Sequence, residues 1–161
     1  MQRWFWWVGA VVVAYLVFGR ADSMPLEKLQ PYDGRRGQAA AERYVGGSCA
    51  KERCLLVYLA PWCPQCRRAH SVILEAVEHL RGQGIETTVV IGLDDRAEVE
   101  AYAREFPFPV YLDTDRRFYD QLETRGVPYF ALWQRDRKIT EDIAGRPGSL
   151  SDLLHFLKLS Q

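Results

Sequence analysis

Leu55-Leu56-Val57-Tyr58-Leu59-Ala60-Pro61-Trp62-Cys63-Pro64-Gln65-Cys66 decides how this chain must fold. The uncharged run from Leu55 to Ala60 predicts a strand covered on both faces, which runs into a short turn. Beyond the turn, apolar residues fall at Ala69, Val72, Ile73, Ala76, Val77 and Leu80, the i, i+3, i+4 spacing of a helix that buries one face. Cys63 is therefore expected at the helix start, where backbone N–H groups and the helix dipole favour a negative sulfur. Pro64 then takes the first helical position, where its missing N–H costs nothing, and Cys66 lies one turn in. A pair at this spacing can close a small disulfide ring, which predicts thiol–disulfide exchange with Cys63 as nucleophile and Cys66 as resolving thiol. A static disulfide or half of a zinc site is the alternative; exposure at a helix start favours the reactive pair.

Composition fits one compact domain of ordinary globular type. With 48% hydrophobic and 26% charged residues, the 161-residue chain has enough apolar material for one core. Lys plus Arg and Asp plus Glu are 21 each, and no basic run stands apart, so nucleic acid is not an expected partner. The four cysteines, Cys49, Cys54, Cys63 and Cys66, form two close pairs, which favours an oxidising compartment or a dedicated redox role. His70, His79 and His155 are widely spaced, and neither a metal nor a cofactor is expected.

From Trp4 to Phe18 the chain is strongly apolar, with Arg3 before and Arg20 after. A spanning helix needs about 20 apolar residues and a signal-peptide core about 7–15, so length leaves the segment between the two classes. The Trp4, Trp6 and Trp7 cluster suits an interfacial anchor, and Arg3 would hold that end in the cytoplasm. An uncleaved membrane-targeting helix over residues 1–20, seated in the membrane through 4–19, is the favoured reading. Gly19 and Ala21 keep open a signal peptide cleaved before Asp22, and a buried core segment is the remaining alternative. Both leading readings export the rest. Residues 21–37, with Pro25, Pro31, Gly34 and Gly37, suit a linker, and the folded domain is expected over 38–161.

Within that domain the alanines at 39–41 favour a short helix before Gly46. Thr87 to Leu93 predicts an inner strand, Arg96 to Glu105 a helix, Val110 to Leu112 a strand and Arg116 to Thr124 a helix. Tyr129 to Trp133 and a strand around Lys138 to Ile143 predict an antiparallel hairpin, followed by a helix over Leu150 to Leu159. Asp94 and Asp95 read as a polar cap after a strand. Strands that alternate with helices and end in a hairpin predict an α/β fold, a central mixed β-sheet flanked by helices.

This layout, with Trp62-Cys63-Pro64-Gln65-Cys66 and Gly126-Val127-Pro128, resembles the thioredoxin superfamily. The additional helix and strand between Leu93 and Gly126, and the Cys-Pro-x-Cys-Arg followed by His70, resemble its membrane-tethered TlpA-like and cytochrome c maturation branch. The likeness covers about Gln38 to Leu159. It implies a thioredoxin-like fold, a cis-proline at Pro128 facing the cysteine pair, and backbone hydrogen bonds from Val127 to an extended substrate. Trp62 would shield the disulfide and contact partners, or else pack in the core. In thioredoxins a buried acid six residues ahead of the first cysteine helps deprotonate the second. Here that position is Val57, and the lysine often paired with the acid appears as Val90, so water or another carboxylate must take the proton.

Cys49 and Cys54 sit before the strand, whose length of ~20 Å puts them at the end of the sheet opposite Cys63. A structural disulfide is the leading reading, with a second exchange site or a four-cysteine zinc site as alternatives. His70 either tunes the thiolate or is an exposed helix residue, and His79 and His155 read as ordinary helix surface. The resemblance implies a periplasmic domain tethered to the bacterial inner membrane, or soluble after cleavage, that reduces disulfide-containing client proteins using a membrane electron donor. A disulfide oxidase or isomerase, a factor that keeps haem-attachment cysteines reduced, and a non-catalytic binding or metal-holding module are the alternatives.

Overall fold

The computed structural model describes residues 24–34, 38–39, 43–45, 51–124, 126–135, 137–140, 143–144 and 147–159. In chain order these form β1 (Glu27–Asp33), β2 (Gln38–Ala39), β3 (Arg43–Val45), β4 (Arg53–Leu59), α1 (Pro64–Gly82), β5 (Glu86–Gly92), α2 (Arg96–Ala103), β6 (Val110–Asp113), α3 (Arg117–Gln121), β7 (Tyr129–Gln134), β8 (Arg137–Lys138), β9 (Ile143–Ala144) and α4 (Leu150–Phe156). Residues 1–20, expected to meet a membrane, lie outside the described residues. Among the described residues no helix is long and apolar enough to cross one.

All strands join one mixed sheet of order β2-β1-β6-β5-β4-β7-β8, with β3 also on β1 and β9 also on β7. The uncharged opening strand lies near its middle. Val57 pairs with Val89 of β5 in parallel and with Phe130 of β7 antiparallel. Parallel neighbours need a crossover, and α1 supplies it between β4 and β5. Side chains alternate across β4: Leu55, Val57 and Leu59 pack with α1, α2 and α4, while Cys54, Leu56 and Tyr58 pack with α3, Tyr129 and Trp133 on the other face. Both faces are covered, which is why the strand has no polar side.

Three expectations are corrected. The linker expected over residues 21–37 contains β1, which pairs antiparallel with β6 through Gln30, Pro31 and Tyr32. Its polar sequence hides it, and Pro31 is tolerated because it falls between the residues that pair with β3 and those that pair with β2. The helix expected over the alanines from 39 is replaced by β2 and β3. Helix propensity there is worth only tenths of a kcal/mol per residue, about the scale that sheet pairing overrides. The final strand is split into β8 and β9, with Thr140 buried between them, where its hydroxyl accepts a hydrogen bond from the Leu132 N–H at 2.8 Å.

One close approach holds the second face together. Asp113, at the end of β6 and fully buried, accepts from the Tyr58 hydroxyl at 2.7 Å and from the backbone N–H groups of Phe118 at 3.3 Å and Tyr119 at 3.0 Å. The carboxylate thus ties the strand before the cysteines to the start of α3. Gly92 lies against this bond: a Cβ there would collide with the Tyr58 hydroxyl and come within 2.6 Å of the Asp113 carbonyl oxygen. Because backbone cannot give way as a flexible side chain does, Gly92→Ala is expected to destabilise the fold by at least about 1–3 kcal/mol, read as a lowered denaturant midpoint with an unchanged m-value.

Candidate functional site

Cys63 is the N-cap of α1, in extended backbone at φ −82° and ψ 111°, and Pro64 opens the helix. Its sulfur accepts a hydrogen bond from the Cys66 N–H at 3.2 Å, so one of the helix's unpaired donors is satisfied by the thiol itself. Across the cleft the Cys63 S–H donates to the Val127 carbonyl at 3.5 Å, and the Val127–Pro128 peptide bond is cis. The first turn of α1 carries no acidic side chain to oppose a thiolate. Cys63 and Cys66 are both free thiols, and both are buried, so the exposure expected of the helix start is not found: Cys63 is only 3% exposed because it packs with Cys66, Leu59 and Ala60 in the core cluster. The structure thus brings Cys63, Cys66, Val127 and Pro128 together at the end of β4.

The two sulfurs differ in surroundings. Burial first, and then hydrogen bonding with Cys63, pushes the Cys66 thiol far above the ordinary range. Val57 is buried in the cluster of Cys63 and Cys66, where Val89 is its parallel partner, whereas Val90 pairs with Tyr58 and packs on the other face, so Val90 is not the position that would face an acid at 57. The buried carboxylate of Asp113 packs with Tyr58 on the other face of the sheet, so it does not replace the acid missing at Val57.

Trp62 is 59% exposed, which removes the packed-core alternative. Its indole N–H donates to the Leu93 carbonyl at 2.7 Å, and this bond parks the ring beside the cysteines. Asp95 is the N-cap of α2, accepting from the Glu98 N–H at 3.0 Å, and Asp94 accepts from the Asp95 N–H at 2.9 Å, so the pair is a cap. Cys54 is disulfide-bonded, which takes its sulfur out of the four-cysteine zinc alternative. Cys49 lies outside the described residues.

Comparison with known proteins adds the following. No family model matches the chain. The thiol-disulfide oxidoreductase ResA of Bacillus subtilis (strain 168) is 25% identical over 107 residues, which are 64% of this chain and 60% of ResA, less than two thirds of that relative's length. The solved structure of DsbF from MTB overlays with a TM-score of 0.61 at 19% identity, covering 86% of this chain and 96% of DsbF. A thiol:disulfide interchange protein of the thioredoxin family from Chlorobium tepidum TLS gives a TM-score of 0.60 at 16% identity, covering 87% and 96%. The fold is thioredoxin-like.

Spacing gives no role to Tyr102, marks Arg67 only as the residue after the cysteine pair, and leaves His70 between two readings. Arg67, directly after Cys66, donates from Nε to the Pro61 carbonyl at 3.1 Å, pairs with Glu105 at 2.5 Å, and places its guanidinium carbon 4.4 Å from the centre of the Tyr102 ring. It fastens the turn to the end of α2. Tyr102 is fully buried in the same apolar cluster as Cys63 and Cys66, and its hydroxyl finds no hydrogen-bond partner among the described residues. The apolar spacing of Val99, Tyr102, Ala103 and Phe106 signals that face, but nothing in it signals the neighbouring sulfur. His70 is half-buried where an exposed residue was expected, because its ring packs 4.5 Å from Phe106.

Two measurements follow from this geometry. Because the Cys66 thiol is held protonated while the Cys63 sulfur takes the Cys66 N–H at the helix cap, a mild alkylating agent is expected to label Cys63 at least about tenfold faster, read by peptide mass spectrometry under native conditions. Burial also lowers the pKa of His70, with the Glu105 charge opposing and the Arg67 charge assisting. The unfolded chain then takes up this proton before the folded one, so stability is full above the ordinary histidine value and declines as pH falls below about 6.5. His70→Leu is expected to flatten that decline in denaturant midpoints measured from neutral to mildly acid pH.

Proposed function

We propose that this chain is a thiol–disulfide oxidoreductase of the extracytoplasmic space that reduces disulfides of client proteins. The observation that carries the reading is the sulfur of Cys63 at the N-cap of α1, held at 3.2 Å by the Cys66 N–H and facing the Val127 carbonyl. In this reading the Cys63 thiolate attacks one sulfur of a client disulfide, and the other client sulfur leaves as a thiol. The mixed disulfide is then displaced by Cys66, which forms the Cys63–Cys66 bond and frees the second client sulfur. Trp62, exposed beside the pair, and the backbone of Val127 next to cis-Pro128 would hold the extended client segment.

Reduction is favoured over oxidation by the state of the dithiol. Strong oxidants of this chemistry have a reduced form whose thiolate is well stabilised. Here Cys66 is held as a buried thiol, and among the described residues no cationic side chain bonds to Cys63, since Arg67 is engaged by Pro61 and Glu105. The names of ResA and of the interchange proteins support the same chemistry.

Export and tethering rest on two supports. The uncharged apolar run of residues 4–18 between Arg3 and Arg20 suits a segment that holds the chain at the bacterial inner membrane, and a disulfide at Cys54 suits an oxidising compartment. Cys49 is proposed as its structural partner, and a membrane electron donor would return the Cys63–Cys66 pair to the dithiol.

A Cys66→Ala variant in a membrane-bearing extract is expected to accumulate clients disulfide-linked through Cys63, while the Cys63→Ala, Cys66→Ala double variant captures none. The reduction potential of the pair is expected nearer to the thioredoxin value of about −270 mV than to the DsbA value of about −120 mV. A value near the latter, with no reduction of a protein disulfide, would overturn the reductase direction.

A further inference from the structure

The turn that leads into α1 is pinned residue by residue, each time by a different part of the fold. The Cys63 N–H bonds back to the Ala60 carbonyl at 3.2 Å, which closes the turn on the end of β4. The Trp62 indole N–H is held at 2.7 Å by the Leu93 carbonyl beyond β5. The Pro61 carbonyl is held by a side chain, Arg67, whose Nε donates to it at 3.1 Å. Arg67 lies one helical turn after Cys63, and its own backbone N–H donates to the Cys63 carbonyl at 3.2 Å. Helix side chains lean toward the N-terminus, so a stem rooted at position 67 runs back over the turn that carries the sulfur. One residue thus grips the turn at two carbonyls, with its backbone on Cys63 and its side chain on Pro61.

The guanidinium is itself held in place. Glu105, just beyond α2, takes an Nη donor at 2.5 Å, and the guanidinium carbon stands 4.4 Å from the centre of the Tyr102 ring, which is fully buried in the cluster of Cys63 and Cys66. A rigid, planar fork of donors can serve a carbonyl, a carboxylate and an aromatic face together, whereas the point charge of a lysine on its flexible stem cannot. The ion pair is 45% exposed on each side, so it contributes little to stability as an ion pair, and what the contacts fix is geometry. Among the described residues the hydrogen-bond partners of the Cys63 sulfur are the Cys66 N–H and the Val127 carbonyl. Arg67 therefore reaches the sulfur only through the backbone of the turn.

Building on the exchange reading above, we propose that Arg67 is a positioning residue for the attack by Cys63: by fixing the Pro61 carbonyl it holds the turn in the geometry from which the sulfur meets a client disulfide. In that step the Cys63 S–H proton passes to solvent and the freed electron pair bonds the sulfur to one client sulfur. The client S–S bond breaks, its electron pair stays on the other client sulfur, and that sulfur takes a proton from solvent. Arg67 gives and accepts neither proton nor electron. A nucleophile that is out of place loses rate at every pH, because the reacting atoms are no longer aligned. A cation that merely stabilised a thiolate would leave a different mark, since its loss moves the pH midpoint and the rate recovers once the thiol is fully ionised. With the Arg67 charge matched by Glu105, the first pattern is the one this geometry gives.

The test uses the full chain in detergent with Cys63 and Cys66 reduced, and an uncharged aromatic disulfide reagent that releases a chromophoric thiol, so that charge steering of the reagent plays no part. The first release, which reports attack by Cys63, is followed across pH to its plateau. Arg67→Met keeps the stem and removes the donors, and it is expected to lower the plateau by about tenfold or more with the pH midpoint in place. Arg67→Lys keeps the charge without the fork, and its plateau is expected within about threefold of that of Arg67→Met. Denaturant midpoints establish that both variants fold, and Arg67→Lys carries the test alone if Arg67→Met does not. A plateau equal to that of the parent in the folded variants overturns the proposal. So does full rescue by Arg67→Lys, or a loss in Arg67→Met that disappears at high pH, either of which assigns the effect to charge. A parent chain whose first release is no faster than that of the unfolded chain overturns the exchange reading and this role with it, whereas a fast parent matched by a fast Arg67→Met overturns the role of Arg67 alone.

Discussion

The helix that carries the cysteines starts on a sulfur. Where most helices place a hydroxyl or carboxylate at the N-cap, α1 uses Cys63, whose sulfur takes the Cys66 N–H while its own proton is offered to Val127. This contact constrains the rest of the molecule. It requires a strand that ends in a fixed place, and β4 is held by β5, β7 and packing on both faces. It requires a loop that brings a carbonyl to the far side, and the cis bond before Pro128 sets that loop directly ahead of β7. It also requires the turn to stay closed, and Arg67 does this by reaching back to the Pro61 carbonyl.

The parts of the fold that the residues announce are those with a period or a punctuation mark. The uncharged run of β4, the Cys63-Pro64 start of α1, its Gly82 end and the Asp95 cap of α2 each state a local preference that packing reinforces. What stayed hidden is pairing that carries no period. In β1 the run Glu27 to Asp33 mixes charged and apolar residues around a proline, and it is a strand because β6 would otherwise be left as a bare edge. The alanines near β2 spoke for a helix because Ala states only an intrinsic preference, which neighbouring strands outweigh.

The site divides along the same line. Cys63 and Cys66 are legible because their chemistry depends on spacing along one helix, and Pro128 because it belongs to a motif. Arg67, Tyr102 and His70 owe their roles to the meeting of α1 with the end of α2, an arrangement of two segments well separated in the chain that no local pattern encodes. Trp62 illustrates the intermediate case. Its neighbourhood was certain, but whether its ring faced inward or outward was decided by the Leu93 carbonyl, which offers the indole its partner at the surface.

The position of β1 has a mechanical consequence. A load on the chain ahead of Met24 enters the domain at β1, three strands from β4 in the order β1-β6-β5-β4. There it meets two routes inward, the antiparallel bonds to β6 at Gln30 to Tyr32, and the side-chain bonds that Gln30 accepts from Arg96 at 2.6 Å and Tyr32 from Arg104 at 3.2 Å, which lead into α2. Because Arg67 fastens the cysteine turn to Glu105 just beyond α2, the outer strand and the turn share a helix as a common strut.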